Sequence, residues 1–410
     1  MKKVVIIGAG PAGMTAAYSA AQRGLDVILV EKNERVGRKL LITGKGRCNI
    51  TNNCEIEELI ANVNTNEKFL YSAFYTFTND DVMQMFEELG VSLKTERGNR
   101  VFPESDRAID VVDAMARLIN KKNIKLINKK TVKNINQKNG KVESVVLSDG
   151  KEIKADAVII ATGGASYSRT GSTGDGYKLA EKLGHKITPL KPSLIGLEIC
   201  EDFYKKLNGL SLKNVSIKVY GNKNKKIYDD FGEMEFTDYG IDGPIIKSAS
   251  CIMRDLSKEN YKIVLDLKPA LDYEKLDKRI QRDFKKYINK KFENSLVDLL
   301  PSKMIPIVIE LSGIDKKTPV NSITKEERKN LVNVIKNIEM NVKRYRPMEE
   351  AIVTSGGVKT SEINSSTMES KIVEGLYFAG EVIDVDAYTG GFNLQIAFST
   401  GYLAGMCVCE

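Results

Sequence analysis

Apolar and polar positions follow different periods along the chain, and the changes of period mark its elements. Val4 to Ile7 form a short continuous apolar run, which predicts a buried strand. An alanine-rich stretch over 11–23 predicts a helix closed by Gly24. Val27-Ile28-Leu29-Val30 is a second apolar run and ends on Glu31. Residues 77–90, FTNDDVMQMFEELG, space their apolar positions as a capped amphipathic helix does. Runs at 124–127, 132–135, 142–147 and 157–161 predict strands, with Asp149-Gly150 as a hairpin turn. GDGYKLAEKLGH predicts a helix that opens near Asp175, a candidate N-cap, and stops at Gly184.

The middle of the chain has another character. Residues 191–270 alternate with period two, as in Val215, Ile217 and Val219, and in Ile263, Leu265 and Leu267. Residues 272–337 are charged and helical in period, and Thr324-x-x-Glu327 is a capping box. From Ala351 the pattern is again apolar and glycine-rich and ends in a helix over 393–406. The simplest architecture is an α/β domain made from both chain ends, with a β piece and a helical piece inserted. The boundaries are 1–190 plus 347–410 for the α/β domain, 191–270 plus 338–346 for the β domain, and 271–337 for the helical subdomain.

The first turn carries the first chemistry. Gly8, Gly10 and Gly13 form a G-x-G-x-x-G after a strand and at a helix start, and Glu31 ends the next strand 18 residues after Gly13. Gly8 permits the turn, Gly10 lets backbone N–H groups approach a pyrophosphate, and Gly13 allows close helix–sheet packing. With Ala9, Pro11 and Ala12 the glycines make a candidate anion cradle at a helix N-terminus. Glu31 can accept hydrogen bonds from both hydroxyls of a ribose and would repel a 2′-phosphate, so the candidate ligand is FAD or NAD rather than NADP.

Composition narrows the setting. In 410 residues, 42% are hydrophobic, enough for a sizeable core. No run of about 18 apolar residues occurs, and the first residues lack a signal-peptide pattern, so no membrane span and a cytoplasmic location are expected. Six cysteines include no C-x-x-C, and with one histidine no zinc or other metal site is expected. The net charge is +8, but lysines alternate with acids, as in EKLDKRIQRDFKKY, and aromatic residues are sparse among them. Nucleic acid is therefore not the expected partner. His185 follows Gly184 and is read as a helix-terminal surface residue.

Four separated motifs carry a resemblance: GAGPAGMTAA, GRKLLITGKGRCNITN, ATGGASYSRTGSTGDGY and GLYFAGEVIDVDAYTGGFNLQIAFSTG. In this order they resemble the HI0933-like, or BaiN-type, family of bacterial NAD(P)/FAD-dependent oxidoreductases, which includes an aminoacetone oxidase branch and a reductase of steroid-like enones. The resemblance implies a glutathione-reductase-like FAD-binding Rossmann domain with a barrel-like β insertion. It implies non-covalent FAD and hydride transfer between flavin N5 and a small organic substrate or NAD(P)H. An alternative is a tRNA-modifying or non-catalytic flavin-binding protein.

The resemblance also implies a set of cofactor-binding residues. Besides the first turn, Glu31 and Lys32, these are Arg38 and Lys39 for phosphate, with Gly44, Gly46, Arg47, Cys48 and Asn49 along the diphosphate and ribityl chain. Val132 would meet adenine through its main chain. Ala161, Thr162, Gly163 and Gly164 would let the chain pass close to the cofactor, with TGSTGDG near the isoalloxazine. Gly380 and Glu381 would meet the ribityl or diphosphate. Gly390, Gly391, Asn393 and Leu394 would bring backbone and a helix N-terminus to the flavin ring. The catalytic side chains stay open. Tyr388 and Thr389 are candidate substrate contacts. Cys48 is read as a packing residue, with a redox thiol whose pKa Arg47 lowers as the alternative. One departure stands out: the family pattern FTHxGxSGP reads FTDYGIDGP here, with Asp238 and Asp242 in place of His and Ser. No second G-x-G-x-x-G links a strand to a helix, so any NAD(P)H would dock transiently.

Overall fold

The computed structural model describes residues 1–121, 124–253, 256 and 258–410. They form two compact units, Met1–Ser193 with Pro347–Glu410, and Leu194–Arg346.

The first unit is built on a five-stranded sheet. Its order is Leu376–Phe378, Ala157–Ile160, β1 (Lys3–Ile7), β2 (Asp26–Val30) and Lys125–Ile127. All four pairings are parallel, for example Val4 with Ala157 and Val4 with Val27. Val4, Val5 and Ile6 are fully buried, which is why these strands read as continuous apolar runs rather than as alternation. A parallel sheet also puts every strand's C-terminal end on one edge. The segments after Ile7, Val30, Ile160 and Phe378, drawn from both ends of the sequence, therefore meet there.

Helix α1 (Pro11–Gln22) starts at that edge, with Pro11 in its first turn and no side-chain cap. It packs on the C-terminal helix Phe392–Cys407 at backbone distance. A Cβ on Gly401 would lie 2.3 Å from the Ala12 carbonyl oxygen, and one on Gly405 would lie 2.3 Å from that of Ala16. The helix Asn79–Glu88 is capped as expected, by a box of Thr78 and Asp81, and the expected capping box of Thr324 and Glu327 opens Lys325–Lys336. Among the described residues, no helix is long and apolar enough to cross a membrane.

The second unit is a closed six-stranded barrel of Leu197–Ile199, Gly240–Asp242, Lys226–Phe236, Ser211–Tyr220, Lys262–Asp266 and Ile338–Tyr345. Helices Tyr273–Lys286, Met304–Ser312 and Lys325–Lys336 do not have a core of their own. Leu276, Ile280, Val308 and Leu331 join Ile217, Ile263 and Met340 of the barrel in a single apolar cluster. Tyr273–Lys286 and Lys325–Lys336 are polar helices that bury one apolar stripe, whereas Met304–Ser312 is apolar and buried over most of its length.

Gly401→Val should force the two glycine-packed helices apart. The expected loss is about 1–3 kcal/mol of unfolding stability, read by denaturant titration.

Candidate functional site

The glycines of the first turn separate by what requires them. A Cβ on Gly8, whose φ is +101°, would lie 2.5 Å from the Ala161 carbonyl oxygen. One on Gly13 would lie 1.8 Å from the Gly8 carbonyl oxygen. Both glycines are thus demanded by the protein's own packing. Gly10 is different. Its φ of −81° suits any residue, and nothing lies within 4 Å of the place its Cβ would take. Beyond it, the first N–H groups of α1 have no intrahelical partner and no side-chain cap.

Glu31 follows β2 at the same edge and is 7% exposed. Its carboxylate accepts from the Ala9 N–H at 2.8 Å, and from the Asn33 N–H and side-chain amide at 2.8 and 2.7 Å. The backbone of the next crossing lies beside it, since the Lys130 N–H donates to the Glu31 carbonyl. Val132, two residues on, is buried at the start of an antiparallel strand.

The remaining motif segments converge on Glu381. Its carboxylate receives Lys39 Nζ at 2.7 and 3.0 Å, the Thr354 N–H at 2.9 Å and Ser166 Oγ at 3.2 Å. Lys39 Nζ also donates to Ser166 Oγ at 2.9 Å. A Cβ on Gly164 would lie 2.9 Å from Glu381 Oε1, and one on Gly380 would lie 2.8 Å from Ala12 Cβ. Lys39 and Glu381, expected to meet a ligand separately, thus neutralise each other. Lys32 is likewise paired, with Asp175 at 2.7 Å. Burial works against the Asp175 charge, but Lys32 outweighs it and holds the carboxyl below the ordinary carboxylate range. Arg38 is exposed, touches Asn33 Oδ1 at 3.0 Å, and has no carboxylate partner among the described residues.

Residues 2–407 match the HI0933-like protein Rossmann domain. The chain belongs to the HI0933-like family. Two relatives align nearly end to end. The 3-dehydro-bile acid delta(4,6)-reductase of Clostridium scindens is 31% identical over 422 residues, covering 100% of both chains. The ribosomal RNA dihydrouridine synthase of Haemophilus influenzae is 31% identical over 409 residues, covering 98% of both. Among solved structures, the 3-ketosteroid delta1-dehydrogenase of Sterolibacterium denitrificans superposes with a TM-score of 0.54 at 14% identity, covering 99% of both chains. At that identity the likeness is one of fold: an α/β flavoprotein-type Rossmann architecture.

In this HI0933-like chain the remaining motif residues divide between close packing and unsatisfied polar groups. Gly391 lies against Thr51, where a Cβ would come within 2.3 Å of its backbone, and a Cβ on Gly390 would lie 2.7 Å from the Phe392 ring. The Asn393 side chain clasps the preceding loop, accepting from the Ala387 N–H at 3.0 Å and donating to the Ala387 and Tyr388 carbonyls. Leu394, Tyr388 and Thr389 are half-buried beside it. Asn49 Oδ1, Asn52 Oδ1 and Thr162 Oγ1 are buried without a hydrogen-bond partner. Gly44 and Gly46 are left-handed, at φ +57° and +87°, and bend the basic loop before Arg47.

Several expectations need correction, and for Cys48 it is the redox-thiol alternative, not the packing reading, that the geometry disfavours. The Arg47 guanidinium forms ion pairs with Glu96 and Asp106 and lies 4.2 Å over the Phe102 ring. Cys48 is fully buried, and burial pushes its thiol up to about 12. Asp175 is not the cap of its helix: Gly174 holds that position, and Asp175 turns to Lys32. TGSTGDG lies against Lys32 and Asn33, beside Glu31. His185 is buried rather than on the surface. The left-handed turn at Gly184 returns the chain inward, and His185 Nε2 meets Ser370 Oγ at 2.8 Å. Burial pushes its pKa down against the pull of Glu362. In the second unit, Asp242 is bound by Lys247, by Tyr239 Oη at 2.7 Å and by the Gly243 N–H at 2.6 Å, with Lys247 first among the groups that hold its charge against burial.

Two residues of this network, Asn33 and Thr354, lie outside the four motifs, and two more, Asn52 and Ser166, lie inside them without being singled out. Asn52 donates its amide to the Gly98 and Gly390 carbonyls, both at 3.0 Å. The Asx and hydroxyl side chains at these positions read equally well as loop residues, and nothing in the spacing marks them.

A thiol held near 12 leaves about one thiolate in ten thousand at pH 8. Mass-mapped alkylation of the folded protein should therefore label exposed Cys200 readily and spare Cys48 until the chain is unfolded.

Proposed function

We propose that the protein is an FAD-dependent reductase that saturates a carbon–carbon double bond conjugated to a carbonyl. Gly10 carries the cofactor reading. Its conformation and surroundings admit any side chain, so the protein's own packing does not ask for glycine there. Close approach of a pyrophosphate does. Among the five buried polar atoms without a hydrogen-bond partner in the described residues, Asn49 Oδ1 and Asn52 Oδ1 belong to the GRKLLITGKGRCNITN segment and support the same reading, since each left unpaired costs about 1–3 kcal/mol.

The residues that would hold non-covalent FAD are the Gly8–Gly13 turn, Glu31, Arg38, the Ala161–Gly164 segment, Gly380, Gly390 and Gly391. A bound flavin supplies a two-electron carrier that takes up hydride from a reductant and passes it to an acceptor. The chain supplies everything around it. Helix α1 offers free N–H groups to the phosphates, and Arg38 offers the unpaired cation. Glu31 selects ribose hydroxyls over a 2′-phosphate. The free N-terminus of Phe392–Cys407 has no side-chain cap and favours negative charge beside it. NAD(P)H is the proposed reductant, docking transiently.

The two end-to-end relatives support the choice of bond. A 3-dehydro bile acid reduced at positions 4 and 6, and a uridine converted to dihydrouridine, both present an alkene conjugated to a carbonyl. A small conjugated enone is the first reading. The identity to a ribosomal RNA dihydrouridine synthase favours a second, in which the bond belongs to a uridine of RNA.

Anaerobic reduction of the FAD-loaded protein by NADH or NADPH, followed by addition of a 4-en-3-one steroid or of unmodified ribosomal RNA, tests both. Reoxidation by the enone is expected. Reoxidation by RNA alone assigns the second reading, and failure of both nucleotides to bleach the flavin band rejects the reductase. Gly10→Val should change unfolding stability by less than about 1 kcal/mol. It should weaken FAD binding by roughly a hundredfold or more in equilibrium titration.

A further inference from the structure

The loop Tyr167–Asp175 is fastened to the chain directly after Glu31 by polar contacts. Asn33 Nδ2 donates both to Glu31 Oε1 at 2.7 Å and to the Thr170 carbonyl at 3.1 Å. Lys32 Nζ donates to Thr173 Oγ1 at 2.5 Å and to Asp175 Oδ2 at 2.7 Å. Gly171 is pressed against both, for a Cβ there would lie 2.5 Å from Asn33 Nδ2 and 3.2 Å from Lys32 Cε.

No residue of the loop joins the apolar core, although Ser172 and Gly174 are buried and the Gly174 N–H donates to the Gly164 carbonyl at 3.1 Å. The loop contains one 3-10 turn, Ser168–Thr170, and it bends at three left-handed residues: Tyr167 at φ +51°, Gly171 at +108° and Gly174 at +74°. Arg169 and Thr173 are exposed. Segments with few buried apolar contacts open at low free-energy cost, so a single ion pair can set how often they do. The pair is suited to that role: Lys32 and Asp175 are 24% and 32% exposed, open enough for salt to weaken them.

We propose that the Lys32–Asp175 ion pair latches the loop Tyr167–Asp175 over the ribose end of the dinucleotide site and so slows release of the cofactor. Lys32 acts here as a positioning residue, through Asp175, and not as a phosphate ligand. The inference rests on the FAD reading. Because the latch closes beside Glu31, it bears on retention of the adenosine half.

The test uses the FAD-loaded full chain. Bound FAD is exchanged for an excess of 8-chloro-FAD, and the exchange rate is followed by absorbance at low and high salt. Lys32→Met and Asp175→Asn should each speed release roughly three- to fivefold at low salt, the scale of one partly exposed ion pair. The gap to the unsubstituted protein should close at high salt, and the charge-swapped Lys32→Asp/Asp175→Lys protein should regain slow release. Release unchanged by either single substitution, or a swap as fast as the single variants, overturns the latch while leaving the FAD reading intact. The second of these results would make Lys32 a direct ligand. A protein that retains no FAD at any salt overturns both.

Discussion

Backbone-to-backbone contact at the end of the parallel sheet is the constraint on which the rest depends. Gly13 lets α1 start directly on the Gly8 carbonyl, and Gly8 lets the Ala157–Ile160 strand's continuation pass at Ala161. No side chain fits in either gap. The crossing holds the helix N-terminus over the carboxyl edge of the sheet, where β2 delivers Glu31 and the Leu376–Phe378 strand delivers Gly380 and Glu381. Gly401 and Gly405 repeat the device one layer out, locking the C-terminal helix to α1. Close packing of small residues is what turns four distant segments into one site.

Charge at that site is balanced internally. Lys32 answers Asp175, Lys39 answers Glu381, and Arg47 answers Glu96 and Asp106. A half-buried ion would be costly without its partner, and each of these pairs also ties together segments far apart in sequence. In the proposed FAD reading, recognition of the phosphates is assigned to backbone N–H groups, a helix end and Arg38, because Lys32, Lys39 and Arg47 already have carboxylate partners.

The sequence of the first unit was legible because its patterns are physical requirements. Buried parallel strands need continuous apolar runs, the turn needs Gly8, and an N-terminal capping box needs Thr78 with Asp81 three residues on. The errors have a common origin. His185 and Asp175 sit at helix ends, where local rules describe exposure and capping, yet the tertiary fold buries the first against Ser370 and turns the second to Lys32. The inserted helices are separate in sequence pattern but share the barrel's core, because an amphipathic stripe does not say what it packs against.

By itself the sequence determined the α/β class, the dinucleotide-type turn with Glu31, and family membership, since each rests on residue types at fixed local spacing. Only the tertiary structure decided which charges are spent on one another, that the Cys48 thiol is fully buried, that Gly10 alone of the three glycines faces open space, and that the TGSTGDG loop lies across Lys32 and Asn33. The reason is distance along the chain. A turn or a cap is set by neighbours a few positions away, whereas an ion pair between residues 39 and 381 exists only once the sheet has brought its strand ends to one edge.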